Sequence, residues 1–161
     1  MKTASDSVRT LAGTGGARQY STFFVNGLYF GVEVLAVQEV ILYQQMTRVP
    51  LAPAVISGII NLRGQIVTAI DLRRRLEMAD RSAQQLPMNV VVRTEDGAVS
   101  LLVDEIDDVV EVQEEQFETK PDTLRRPLRD LVTGVYKLKH RLLLVLDVRQ
   151  AVTLDVAVEA R

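Results

Sequence analysis

Gly58-Ile59-Ile60-Asn61-Leu62-Arg63-Gly64-Gln65-Ile66-Val67-Thr68-Ala69-Ile70-Asp71-Leu72-Arg73 decides how the rest of the chain is read. Two short runs rich in Ile and Val flank Asn61 to Gly64, and each reads as a strand. Gly64 permits the tight reversal between them, because a residue without a Cβ takes positive φ at no steric cost. The hairpin so formed carries Arg63 at its tip, facing water. Asp71 follows the second strand and suits the cap of a short turn, Leu72 to Leu76, its carboxylate accepting from free backbone N–H groups.

Outward from this hairpin the chain is a series of others. Asn26-Gly27 separates Tyr20–Val25 from Leu28–Val34, the strongest short-range hairpin signal. Val37–Leu42 is a further strand, and Pro50 and Pro53 break the structure after it. Glu95-Asp96-Gly97 joins Met88–Arg93 to Ala98–Val103, and Lys139-His140-Arg141 joins Leu131–Leu138 to Leu142–Leu146. Glu111 to Asp130 is charged and irregular and reads mostly as loop. The hairpins fall into a degenerate repeat. Gly31-Val32-Glu33-Val34 lies over Ser100-Leu101-Leu102-Val103 at an offset of 69, and Ile70-Asp71-Leu72-Arg73 over Leu146-Asp147-Val148-Arg149 at an offset of 76. Two similar halves of about five short strands predict an all-β fold with short helices, in two small five-stranded barrels whose closure removes exposed edges. A β-sandwich is the structural alternative. The predicted boundaries are a disordered lead over 1–19, one domain over 20–152 with barrels at about 20–80 and 88–150, and a tail over 153–161.

Composition narrows the function. The chain has 161 residues, no Cys and one His, and a formal net charge of -2. Cysteine nucleophiles, disulfides and thiolate metal sites are excluded. The charge balance argues against a general nucleic-acid binder, no apolar run reaches the ~20 residues that span a bilayer, and the first residues lack a signal-peptide core. The expectation is a cytoplasmic protein without direct membrane insertion.

No motif carries catalysis, and an enzyme is not expected. Gly13-Thr14-Gly15-Gly16 has no Gly-Lys-Ser/Thr after it and no strand before it. His140 sits among cations in a turn, without the partner a general base needs. Asp104, Glu105, Asp107 and Asp108 lack the spacing of a calcium loop and read as a solvated acidic edge. The basic runs Arg73-Arg74-Arg75 with Arg81, and Arg125-Arg126 with Arg129, read as solvated faces or partner salt bridges, since the exposed aromatics of a single-strand binder are missing. No cofactor or metal is expected. On a strand, Val37 and Glu39 share one face and Gln38 and Val40 the other, so neither face is wholly apolar or wholly polar. That suits either a docking edge or an edge strand guarded by charge.

Arg48-Val49-Pro50, Pro53, Gly58 to Gly64 and Ile70 to Arg73 together resemble the signature of the CheW family of chemotaxis coupling proteins. The likeness runs from about Tyr20 to about Val152, with Thr68 standing where the family usually has a proline and Val55 where it often has an aromatic. The resemblance implies two SH3-like barrels side by side and a non-catalytic adaptor. Its implied partners are the regulatory domain of a CheA-like histidine kinase, which shares the double-barrel fold, the cytoplasmic tips of methyl-accepting chemotaxis receptors, and other CheW-like domains in rings. It implies recruitment to inner-membrane receptor arrays. It also points to Val37, Glu39, Val40 and Arg63 as protein contacts, and to Val103 and Ile106 as further residues of an apolar receptor groove. Arg63 is either a direct contact or a brace that reaches Glu39. The rival class is a nucleic-acid-binding small β-barrel.

Overall fold

The computed structural model describes residues 16–154. The expectations of a disordered lead and a tail, so far as they fall on 1–15 and 155–161, lie outside the described residues. Eleven strands run in order: β1 (Ala17–Val25), β2 (Leu28–Glu33), β3 (Val37–Ile41), β4 (Ile56–Leu62), β5 (Gln65–Asp71), β6 (Met88–Thr94), β7 (Gly97–Val103), β8 (Glu105–Ile106), β9 (Val110–Gln113), β10 (Val132–Lys137) and β11 (Leu142–Leu146). Three single-turn helices intervene: α1 (Leu72–Arg75), α2 (Leu128–Leu131) and α3 (Val148–Val152). β1 begins at Ala17, so the predicted lead is too long by its last residues.

Two sheets result. One has the order β3-β6-β7-β5-β4. The other has the order β10-β11-β2-β1, with β8 and β9 both pairing along β1. β8 opposes Phe23 and Phe24 while β9 opposes Ala17 to Tyr20, so the pair acts as one interrupted edge strand. The barrels do not follow the predicted contiguous halves at 20–80 and 88–150. Instead β1 and β2 join β8 to β11, and β3, β4 and β5 join β6 and β7. The repeat is real, but each sheet takes the first hairpin of one half and the later strands of the other. The parallel pairs prove the equivalence: Phe30 opposes Leu144 in one sheet, Thr68 opposes Val99 in the other, and the two sequence offsets carry one pair onto the other.

Neither sheet is closed by a ladder between its end strands. Each is joined by a single bridge of two backbone hydrogen bonds. Thr47 meets Ile59 and Glu118 meets Val135, with every N–H to O distance 2.9 Å. A glycine precedes the bridged residue in both repeats, and the backbone needs it. A Cβ on Gly58 would lie 2.6 Å from the Thr47 carbonyl oxygen, and one on Gly134 would lie 2.6 Å from the Glu118 oxygen and overlap the Phe117 ring.

Burial follows the same plan. Tyr20, Tyr29, Tyr136 and Leu143 fill the six-stranded barrel, and Ile60, Leu62, Val67 and Val91 fill the other. Residues of alternate phase, among them Phe23, Phe30, Leu144, Ile70, Val90 and Leu101, form one shared layer between the sheets. Strands apolar on both faces read as unbroken hydrophobic runs, which is why Leu142 to Leu146 shows no alternation. The expected cap at Asp71 forms, and Asp147, its counterpart in the repeat, caps α3. Asp71 accepts from the Arg73 N–H at 3.0 Å and Asp147 from the Gln150 N–H at 3.1 Å.

Candidate interaction site

The β4–β5 turn has two residues, Arg63 and Gly64, at φ 55° and 86°. This is the signature of a type I′ turn, whose twist matches that of the strands. The Asn61 side chain accepts from the Gly64 N–H at 2.8 Å and fixes the turn. From this tip Arg63 reaches Glu39 on β3 with both guanidinium arms, Nη1 to Oε2 at 2.7 Å and Nη2 to Oε1 at 2.8 Å. The fork–fork geometry is the strong form of the carboxylate pair. Its bonds hold the Glu39 carboxyl below the usual glutamate range and push the Arg63 guanidinium up.

β3 and β4 are the two ends of their sheet, so the fork spans the seam of the barrel. Glu39 lies under it, with 17% of its side chain exposed, while Arg63 keeps 74%. Of the two roles the sequence left open, bracing is therefore occupied, and most of the guanidinium still faces solvent. Val40, Leu42 and Tyr43 at the end of β3 and Ile66 beside the turn are exposed, with Val40 on the opposite face of β3 from Glu39. Leu42 and Ile66 were not singled out in the sequence. Ile66 had a signal, since it opposes the exposed Asn61 across the hairpin.

The other expected contacts divide. β3 carries a bulge between Val37 and Glu39, and this changes the phase of the strand. Val37 and Val40 oppose Val92 and Val90, whereas Glu39 opposes Val91. Val37 and Glu39 therefore do not share a face, contrary to simple alternation. Val37 and Ile106 are partly buried, both against the shared layer. Val103 is fully buried in that layer at 0% exposure and offers no surface to a partner.

The acidic edge and the first basic run are also corrected. Asp104 is buried where the chain crosses from β7 to β8. It accepts from Arg73 Nε at 3.0 Å and Nη2 at 2.7 Å, from Arg81 Nε at 2.8 Å, and from the Asn26 N–H at 2.6 Å. Arg81 also donates to both oxygens of Asp71, at 3.1 and 3.0 Å. Burial works against the charged Asp104 carboxylate, but Arg73, the Asn26 N–H and Arg81 outweigh it and hold the carboxyl below its ordinary value. Arg74 pairs with Asp80, and Arg75 donates to the Ala151 and Gln150 carbonyls at the end of α3. The run expected to form a solvated face or partner salt bridges is instead bonded within the molecule. Glu105 and Asp108 remain exposed. His140 is an exposed turn residue, and no group of three or more His, Asp or Glu among the described residues is placed to hold a metal.

The comparisons with known proteins agree with this architecture. The CheW-like domain family matches residues 19–155. The chain belongs to the CheW family. The chemotaxis protein CheW of Bacillus subtilis is 32% identical over 125 residues, covering 78% of this chain and 80% of that protein. The chemotaxis protein CheW of Klebsiella aerogenes is 30% identical over 144 residues, covering 89% and 87%. Among solved structures, the scaffolding protein TtCheW from Thermoanaerobacter tengcongensis superposes with a TM-score of 0.77 at 24% identity, over 86% of this chain and 89% of that one. The paired sheets are thus the CheW fold. No helix among the described residues is long and apolar enough to cross a membrane.

Proposed function

We propose that this CheW-family chain is a non-catalytic adaptor that couples methyl-accepting chemotaxis receptors to a CheA-type histidine kinase. The observation that carries the reading is the Glu39–Arg63 fork, held on the sheet end that also exposes Val40, Leu42 and Ile66. An exposed apolar surface with a fixed, oriented charge suits a partner helix: the apolar side chains give affinity, and the charge gives register. Val37 and Ile106, partly buried against the shared layer, are further candidates for the receptor contact. The kinase, with barrels of the same kind, takes a different face. Receptor state then reaches the kinase as a coupling free energy between two contacts on one small scaffold.

The test is reconstitution of receptor-bearing membranes with kinase and adaptor, read as receptor-dependent kinase phosphorylation, beside a thermal melt of each variant. Arg63→Ala is expected to lower coupling strongly while the melting temperature moves little, because the guanidinium is mostly solvated. Arg63→Lys keeps the charge but not the planar fork, and is expected to fall between. Full coupling by Arg63→Ala with a large drop in melting temperature would reduce Arg63 to a brace.

A further inference from the structure

The interior of the five-stranded barrel holds a polar pair that neither the fold nor the fork has used. Buried polar side chains are few among the described residues: Thr22, Asp71, Asn89, Ser100 and Asp104. Asp71 and Asp104 belong to the arginine cluster at the sheet crossing, and Thr22 donates to the Asp108 carbonyl. Asn89 and Ser100 remain, at 1% and 0% exposure. Asn89 lies two positions before Val91 on β6, so both face the barrel interior. Ser100 on β7 opposes Val91 and stands two positions after Ala98, which packs against the same cluster. The rest of that cluster is aliphatic, with Ile60, Leu62 and Val67 at its centre.

The two side chains form a short relay that ends on the backbone. The Ser100 hydroxyl donates to Asn89 Oδ1 at 2.7 Å, and Asn89 Nδ2 donates to the Leu42 carbonyl at 3.1 Å. The carbonyl fixes the sense of the relay. It can only accept, so the amide presents its NH2 group to Leu42 and its oxygen to Ser100. Leu42 is the first residue past β3, and Ile41 opposite Asn89 is the last pair of the β3–β6 ladder. Further along, the chain bridges Thr47 to Ile59 at the seam. The relay therefore grips the backbone where it leaves the sheet. The Leu42 side chain stays outside, at 69% exposure, and Tyr43 follows it at the surface.

Replacing both partners of a buried hydrogen bond by apolar groups of the same shape is close to neutral. Stability alone thus gives no reason for a polar pair in an aliphatic barrel, whereas the hold on Leu42 does. From this we infer that Asn89 is a positioning residue for the docking surface. Oriented by Ser100, it holds the Leu42 carbonyl from inside and fixes how Leu42 and Tyr43 project from the sheet end that carries Glu39. The inference rests on the reading of that sheet end as the receptor contact. It adds that the contact is set from within the barrel, by a side chain that no partner can touch.

The experiment compares the full chain with three variants: Asn89→Leu combined with Ser100→Ala, Ser100→Ala alone, and Arg63→Ala. The readouts are thermal melting, backbone order parameters from nuclear magnetic relaxation, and receptor-dependent kinase phosphorylation in reconstituted membranes. The double variant is expected to melt within about 4 °C of wild type. Its order parameters at Leu42 and Tyr43 are expected to fall from about 0.85 to below about 0.6, with β6 and β7 unchanged. Its coupling is expected to fall at least about fivefold. Ser100→Ala leaves the Asn89 amide in place but unoriented, and is expected to lie between wild type and the double variant in local order and in coupling. Wild-type order at Leu42 and Tyr43 in the double variant would overturn the inference. So would wild-type coupling there while Arg63→Ala loses it, and the receptor-contact reading would stand. Wild-type coupling in both would overturn the two together, whereas lost coupling in the double variant beside full coupling in Arg63→Ala would keep the positioning role and refute the fork. A melting temperature lower by more than about 8 °C in both Ser100 variants would assign the pair to the fold and overturn the inference.

Discussion

Asp104→Asn should be among the most damaging conservative substitutions in this chain. The carboxylate has two acceptor atoms, and at least two donors crowd each. Oδ1 faces Arg73 Nε and Arg81 Nε, while Oδ2 faces Arg73 Nη2 and the Asn26 N–H. An asparagine amide has one oxygen, so in either orientation its NH2 group points at two N–H donors. The substitution also leaves two arginines with little solvent access and half their counter-charge, since Asp71 alone remains opposite Arg81. Breaking a buried pair from one side costs about 3–5 kcal/mol. At about 2–4 °C per kcal/mol for a domain of this size, the melting temperature should fall by roughly 6–20 °C. Thermal and urea melts followed by circular dichroism measure this. Acid gives a second reading. The Asp104 carboxyl lies below its unfolded value of about 3.9, so its contribution is present above that pH and is lost as pH falls through the depressed folded value. Wild type should therefore lose stability more steeply than Asp104→Asn below about pH 4. A melting temperature within 2 °C of wild type, with parallel acid profiles, would refute the claim that this carboxylate pins the crossing between the sheets.

Gly134→Ala forces a methyl group onto the Glu118 carbonyl and the Phe117 ring. It should cost about 1–3 kcal/mol, visible as a lower urea midpoint, with Gly58→Ala behaving alike at the other seam. Glu39→Lys sets a like charge against Arg63. Kinase or receptor affinity should fall by about a hundredfold in a binding titration, while the far-ultraviolet spectrum stays that of wild type. Because Arg63 holds the Glu39 carboxyl below the ordinary glutamate range, wild-type affinity attributable to the pair should be constant above pH 5 and fade only in stronger acid. Arg75→Met removes the donors to the Ala151 and Gln150 carbonyls. Amide exchange should then speed up at Ala151 and Thr153 and stay unchanged in β6 and β7.

The hairpins and the caps were legible because their causes are local. Asn26-Gly27 and Arg63-Gly64 carry the positive φ values that two-residue turns require, and Asp71 and Asp147 sit one residue before the helices they cap. The repeat was legible too, as a pattern of strands. What the pattern lacks is any statement of which strand pairs with which. Phe30 and Leu144 are both apolar strand residues, and nothing in their neighbours tells that they face each other across the chain. Asp104 was read as solvated for the same reason, since the arginines that bury it lie 31 and 23 positions away. Val103 packs fully inward, and an apolar residue at a junction looks the same from sequence whether it packs inward or outward. The bulge in β3 defeated a strictly alternating reading of Val37 and Glu39. The arginine run failed differently: composition counts charges, and it does not count the carbonyls and carboxylates that a fold brings to them.

The exchange of strands between the sheets has a bearing on how the chain is made. All five strands of one sheet, β3 to β7, fall within residues 37–103, so that barrel has every strand it needs once the middle of the chain has left the ribosome. The other barrel does not. Its β1 and β2 emerge first, yet the strand that pairs with β2 on its far side is β11, near the end of the described chain. An early hairpin rich in aromatic side chains must wait, its outer edge open, while the second-born barrel assembles beside it. Order of birth and order of completion are thus inverted. β8 and β9 reach the β1 edge earlier, and the sheet is completed only when β10 and β11 follow on the β2 side.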